Sequence, residues 1–329
     1  MRTRIFEIKS KKDDSKIDIA ADIINKGGLV AFPTETVYGL GANALDSKAV
    51  EKIFIVKKRP KNDPLIVHIA DKADLDKIGI DISEKTRILI DKFWPGPLTV
   101  LVKRNKNIPG IVSAELDSVA VRFPSNRIAR ALIEKSKVPI VAPSANLFGR
   151  PSPTDAQHVL EDLNKKIDVI LDGGSTDIGL ESTIVDCTSQ NLTILRPGGI
   201  IVEQIKKVIG KVELKTSLNK NEIIKSPGQG YKHYSPRANV IVVKDSEETV
   251  KKIREFRNKK IGLMLTKDIT NIKVDFKIIL GEDKKEIARN LFKNFREFDN
   301  LGIEVIILEA IDDKGLGLAI MDRVSRAAL

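Results

Sequence analysis

Cysteine is almost absent from this chain of 329 residues: Cys187 stands alone, beside one tryptophan, three tyrosines and three histidines. A lone cysteine closes no intrachain disulfide and builds no thiolate cage, and three histidines with it leave no His/Cys zinc set. No protein side chain is therefore assigned to a metal. The first residues lack the apolar stretch of a secretory leader, and no run approaches the roughly 20 apolar residues of a membrane span. These deficits predict a soluble, cytoplasmic protein with no membrane partner.

What the chain does have is an ordinary globular balance, 42% hydrophobic and 31% charged, with a formal charge of +11. Its length is sufficient for two cores. Residues 1–239 hold 38 basic against 29 acidic side chains and residues 240–329 hold 18 against 16, so nine of the eleven surplus charges lie in the first part. An anionic ligand is expected there, either nucleotide phosphates or RNA, although a solvated lysine-rich surface gives the same count.

Ile17, Ile19, Ala20, Ile23 and Ile24 form one helical face that ends at Gly27-Gly28, and an apolar strand over 29–32 follows. Asp46 or Ser47 caps a helix that must stop near Arg59, because Pro60 disfavours helix in the residue before it. Strands are predicted at 65–69, 98–102, 119–123, 139–142, 167–172, 183–186 and 192–196. Helices are predicted near 84–93, 126–136 and 154–164, the last opened by a Thr154-x-x-Gln157 capping box. Some strands succeed one another without room for a crossover helix, which predicts a mixed sheet. The pattern weakens over 212–238, where Ser226 to Pro236 reads as a linker, but one with two tyrosines and a histidine. Strands at 240–243, 261–265, 278–280 and 305–308 then alternate with helices at 246–258, 284–298 and 317–328. The expected architecture is α/β: a first domain over 1–211, a linker over 212–238 that packs over a site, and a smaller parallel βαβ, Rossmann-like domain over 239–329.

Five stretches of the first domain carry chemistry. Pro33-Thr34-Glu35-Thr36 places two hydroxyls and a carboxylate after a buried strand, with Gly39 and Gly41 allowing the backbone to turn close to a ligand; a plain strand-to-helix turn fits the same pattern. Lys57-Lys58-Arg59-Pro60-Lys61-Asn62-Asp63-Pro64 puts cations at a helix C-terminus, on a loop stiffened by two prolines. Arg122 ends an apolar strand and needs either an internal carboxylate or that of a ligand. Pro143-Ser144-Ala145-Asn146, with Ser152 beyond it, offers small polar groups at a strand mouth, suited to ribose and phosphate or to an Asx turn. Glu181-Ser182-Thr183 and Arg196-Pro197-Gly198 set a hydroxyl and a cation at opposite ends of a hairpin. His68 lies inside an apolar strand.

In this order and at these intervals, PTETVYGLG, KKRPKNDPL, VAVRFP, APSAN, STIVD and RPG resemble the YrdC-like domain of the threonylcarbamoyl-AMP synthase family. SPGQGYKHYSP and the ending Gly315 to Arg323 resemble its longer, two-domain form. The resemblance implies a YrdC-like twisted mixed sheet with flanking helices and a nucleotidyltransferase reaction: L-threonine, bicarbonate and ATP give threonylcarbamoyl-AMP and pyrophosphate. It is the first step of N6-threonylcarbamoyladenosine formation at position 37 of tRNAs reading codons that begin with A. It further implies Mg2+ with the ATP, downstream threonylcarbamoyl-transferase proteins acting on tRNA, and a weak RNA contact.

On that resemblance Lys57 and Arg59 are catalytic, and Thr34, Thr36, His68, Arg122, Ala142 and Ser182 hold threonine. ATP falls to Lys57, Arg59, Asp63, Ser118, Pro143, Ser144, Asn146, Ser152, Arg196, Tyr231 and Ser235. Asn62 and Asp63 appear in swapped order relative to the family's usual pattern, and Glu35 has no assigned role. The alternative reading is a non-catalytic RNA-binding module with a basic concave surface; its expected signature, basic residues interleaved with exposed aromatics, meets only 5% aromatic content here.

Overall fold

The computed structural model describes residues 2–216, 224–228, 230, 231, 233–269, 272 and 274–329, so parts of the predicted linker lie outside the described residues. The first domain holds strands β1 (Arg4–Glu7), β2 (Val30–Phe32), β3 (Gly39–Asn43), β4 (Ile66–His68), β5 (Gly79–Ile80) and β6 (Leu98–Arg104). It continues with β7 (Ser118–Arg122), β8 (Ile140–Val141), β9 (Val169–Asp172), β10 (Thr183–Asp186), β11 (Thr193–Arg196) and β12 (Glu213–Leu214). These make one sheet in the order β1-β9-β2-β3-β8-β4-β7-β6-β10-β11-β12, with β5 on β6. The sheet is mixed, as predicted: β4 and β7 pair in parallel, whereas β3 and β8, and β6 and β7, pair antiparallel.

The helices are α1 (Asp14–Asn25), α2 (Ser47–Lys57), α3 (Leu75–Ile78), α4 (Glu84–Phe93), α5 (Arg127–Ser136), α6 (Ala156–Leu163), α7 (Val202–Ile209), α8 (Ser246–Glu255), α9 (Lys284–Asn300) and α10 (Leu316–Ala327). Asp46 caps α2 through the amides of Lys48 and Ala49, and α2 stops at Lys58, whose left-handed backbone ends the helix two residues before Pro60. The cap of α6 differs from expectation. Asp155, not Thr154, accepts the amide of His158, so the capping box read from Thr154 does not form.

β3 was not foreseen, because its sequence, GLGAN, has neither β-branched nor aromatic side chains. Gly41 explains why glycine stands there: a Cβ would come within 2.8 Å of the Phe32 ring and 2.9 Å of Ile140 Cγ2. The glycine lets neighbouring strands' large side chains cross β3, and its role is packing in a strand rather than the turning expected of it.

Strands β13 (Asn239–Val243), β14 (Ile261–Leu265), β15 (Phe276–Ile279) and β16 (Val305–Glu309) form a second, fully parallel sheet in the order β13-β16-β14-β15. The two units are not separate bodies joined by a tether. The buried cluster under α9 and α10 includes Val37 and Leu180 of the first domain and Tyr234 of the connecting segment. At Gly179, φ +79°, a Cβ would lie 2.4 Å from the α9 backbone at Arg289, so only glycine allows this approach.

Candidate active site

The C-terminal ends of β2 and β7 open onto one cleft. Beyond β2, Thr34 Oγ1 accepts the amides of Thr36 and Val37 and donates to the Val37 carbonyl at 2.7 Å. That fixes the direction of the remaining bonds. Thr34 has given its only proton, so at 2.7 Å the Thr36 hydroxyl donates to it and in turn accepts from Arg122 Nη1 at 2.9 Å. Glu35 turns away from the hydroxyls. Its Oε1 sits 2.7 Å from Arg122 Nη2, and its Oε2 accepts the Ser125 amide at 3.2 Å. Arg122 Nε and Nη2 and Glu35 Oε1 form no aligned hydrogen bond among the described residues, although all three are buried. The guanidinium thus keeps donors for a ligand carboxylate while its charge is balanced. His68, on β4 beside Arg122 on β7, is pushed down to about 3 by burial and then by Arg122, and is a neutral ring.

The opposite wall is built on α2 and the 143–152 loop. Burial, and then the nearby Arg59 charge, lower the Lys57 ammonium well below its ordinary range; it donates to the carbonyls of Ser144 and Asn146, each at 2.5 Å. Arg59 donates to the carbonyls of Asp63 and Pro64 and pairs with the buried Asp63 carboxylate at 3.0 Å. Burial holds the Asp63 carboxyl above the usual carboxylate range. Arg196 is different. It donates to the Ser182 carbonyl at 3.0 and 3.2 Å, to the Ser182 hydroxyl at 3.3 Å and to the Pro227 carbonyl, and among the described residues no carboxylate pairs with it. The antiparallel pairing of β10 with β11 places Ile184 opposite Arg196. Ser182 and Arg196 are therefore at the same end of the hairpin, in contact, and not at opposite ends as the sequence reading placed them.

The cleft measures about 60 Å³. All six threonine candidates line it, Thr34, Thr36, His68, Arg122, Ala142 and Ser182, together with Arg59, Pro143, Ser144 and Arg196 from the ATP set. The other ATP candidates stand behind it. Lys57 is turned to the loop carbonyls, and Asp63 neutralises Arg59. Asn146 accepts the Ser144 hydroxyl and donates to the carbonyls of Leu147 and Arg150, folding the loop. Ser152 donates to Glu181 Oε1 at 2.5 Å. Ser118 begins β7 while Arg122 ends it, about 13 Å away at the rise of a strand. Tyr231 donates to Asn62 Oδ1 at 2.6 Å outside the cleft, and the Ser235 amide donates to the Gly149 carbonyl.

Sequence reasoning assigned no contact to Tyr38, Glu181, Pro227, Gly228, His233 or Tyr234, all of which line the cleft. The odd aromatic content of the linker was the available signal for His233 and Tyr234. His233, pushed down to about 3 by burial and then by Arg59, is neutral and packs edge-on to Phe148.

Residues 22–198 match the family model described as "Telomere recombination", and residues 200–329 match that described as "Threonylcarbamoyl-AMP synthase, C-terminal domain". The chain is 45% identical to a Pyrococcus abyssi protein named "Threonylcarbamoyl-AMP synthase", over 99% of this chain and 98% of that one. A Bacillus subtilis protein of the same name is 42% identical over 96% and 94%. Among solved structures, one described as P. abyssi Sua5 complexed with L-threonine superposes with a TM-score of 0.92 at 45% identity, covering 99% of this chain and 98% of that one.

Proposed function

The chain belongs to the threonylcarbamoyl-AMP synthase family, and from that premise we propose that its cleft joins L-threonine, bicarbonate and ATP into threonylcarbamoyl-AMP and pyrophosphate. The observation that carries this reading is the pairing of two walls. One presents the free donors of a charge-balanced arginine beside two hydroxyls, Arg122 with Thr34 and Thr36; the other presents Arg196, a cation without a carboxylate. Threonine binds with its carboxylate on Arg122 and its amine and hydroxyl toward Thr34, Thr36, His68, Ser182 and the Ala142 backbone. The neutral amine attacks the bicarbonate carbon and water is lost. A carbamate oxygen then bonds to the α-phosphorus of ATP as the bond to the β-phosphate breaks. No protein nucleophile takes part, and the work is positioning and charge neutralisation.

Arg196 and Arg59 meet the phosphates, with Ser144 and Pro143 beside them. Lys57 acts one step back, holding the Ser144–Asn146 carbonyls in place, and Asn146, Ser152 and Asp63 hold the loops that carry those groups. Magnesium bound with the ATP would neutralise phosphate charge; among the described residues no group of three or more His, Cys, Asp or Glu gathers to hold a metal.

At about 60 Å³ the cleft falls well short of the roughly 300–1,000 Å³ of a typical small-molecule pocket. Pro227, Gly228, His233 and Tyr234 wall one side, so the segment around them is the part that yields to admit the nucleotide and then closes on a mixed anhydride prone to hydrolysis. The product passes to a threonylcarbamoyl-transferase acting on tRNA. Among the described residues no helix is long and apolar enough to cross a membrane, and a chain whose single cysteine closes no disulfide suits a reducing cytoplasm. Pyrophosphate release from the purified protein tests the reading. Release is expected only with threonine and bicarbonate both present, and release independent of either would overturn it.

A further inference from the structure

The ending Gly315 to Arg323 is part of what makes the chain resemble the two-domain form, yet the reaction as derived above gives it nothing to do. Arg323 is the largest clue to its use. It stands on α10, the last helix of the second domain, and is 0% exposed. Its guanidinium points away from its own domain. Nε donates to Glu181 Oε2 at 2.7 Å, Nη2 donates to the Pro197 carbonyl at 3.0 Å, and the plane lies 5.3 Å from the centre of the Tyr234 ring. Nη1 pairs with Asp322 at 2.6 Å.

The first three contacts reach three separate segments around the cleft. Glu181 lines it, precedes Ser182 and accepts the Ser152 hydroxyl on its other oxygen. Pro197 follows Arg196, which no carboxylate pairs with among the described residues. Tyr234 belongs to the connecting segment. One planar fork thus fixes the spacing between the Ser182 loop, the Arg196 turn and the segment that covers them, a span that an ammonium, with its three donors on a single nitrogen, does not match. Burial opposes the charge of Glu181, but Arg323, then Arg196 and Ser152, hold its carboxyl below the usual range, so the pair is ionised.

We propose that Arg323 is a positioning residue of the active site, through which the second domain sets the placement of Arg196 against the nucleotide and of Ser182 beside threonine. This rests on the synthase reading. It also explains why the two units share a core instead of swinging on a tether: the phosphate-facing wall is complete only when α10 is docked.

The test compares Arg323→Lys with Arg296→Met in the full-length chain. Arg296, on α9, is equally buried between the domains, donating to the Pro151 carbonyl at 2.6 Å and to Asp162 at 2.8 Å, but it contacts no residue of the cleft. For Arg323→Lys, the KM for ATP is expected to rise about 10- to 100-fold, the range a misplacement of about 1 Å produces. The threonine Kd, by calorimetry, rises by no more than about fivefold, since Ser182 is one hydrogen bond among several threonine contacts. Arg296→Met lowers the unfolding temperature with a KM for ATP within about twofold of the parent. An unchanged KM in folded Arg323→Lys overturns the proposal, and so does an equal rise in Arg296→Met, which would reduce Arg323 to domain docking. If Arg323→Lys does not fold, Arg323→Met with Glu181→Gln, which strands no buried charge, takes the same measurements and is expected to lose ATP affinity. Calorimetric binding of a non-hydrolysable ATP analogue reads the effect independently of turnover, so a parent protein that releases no pyrophosphate sinks the synthase reading and leaves the Arg323 result to stand or fall separately.

Discussion

Arg122 and Arg196 line the same cleft, and each is only 4% exposed, yet their surroundings are opposed. Arg122 has Glu35 at 2.7 Å, while Arg196 is surrounded by carbonyls and a hydroxyl. A balanced arginine with free donors selects a single carboxylate by geometry. An arginine that no carboxylate among the described residues contacts directly favours a ligand that brings several negative charges, and burial lowers its proton affinity accordingly. Glu35, which had no role from sequence, is what makes the difference, because it turns Arg122 from a general anion site into a directional one.

The largest test removes the balance. Arg122→Met leaves Glu35 buried alone and is expected to destabilise the protein by about 3–5 kcal/mol as well as to abolish threonine binding. Adding Glu35→Gln should restore the denaturation midpoint without restoring binding; recovered threonine affinity in the double variant would show that the carboxylate is held elsewhere. Next, Arg196→Met is expected to slow pyrophosphate release by about 100- to 1,000-fold with threonine binding retained, as loss of one preorganised donor at developing charge does elsewhere. Equal loss of threonine affinity, measured by calorimetry, would erase the distinction between the walls.

Acidity probes the buried neutral histidines. His68 and His233 fall to about 3 and His158 to about 4 in the folded chain, each mainly through burial, against about 6.5 unfolded. Their folded values are depressed, so the unfolded chain takes up more protons below pH 6.5. Stability is full above that pH and falls as pH drops, by about 1.4 kcal/mol per pH unit for each histidine, until the folded values are reached. Urea unfolding at pH 7 and pH 5 measures this, and an unchanged midpoint would mean that the rings are charged in the fold. The smallest effect is expected from Tyr231→Phe. It removes one hydrogen bond to Asn62, about 1 kcal/mol, and should raise the KM for ATP no more than about fivefold.

Much of the fold was legible from local pattern. Helix α4 falls where periodicity placed it, and β10 and the parallel C-terminal sheet follow from apolar runs between amphipathic helices. β3 was not legible, because the need for Gly41 comes from Phe32 and Ile140 on other strands. The short helix α7, just after Arg196-Pro197-Gly198, also escaped, its eight residues being too few for a clear period.

The residue types of the site, in their order, were fixed by the sequence alone: hydroxyls after β2, cations after α2, an arginine ending β7, a serine and an arginine flanking a hairpin. Which of them face a ligand was decided by the tertiary structure. Lys57, Asn146 and Ser152 carry the expected chemistry but direct it at carbonyls and at Glu181, while Arg323, distant by 142 residues from Glu181, reaches the cleft wall. The physical reason is that a buried polar group must find its partner wherever the fold supplies one, and long-range partners leave no trace in local spacing.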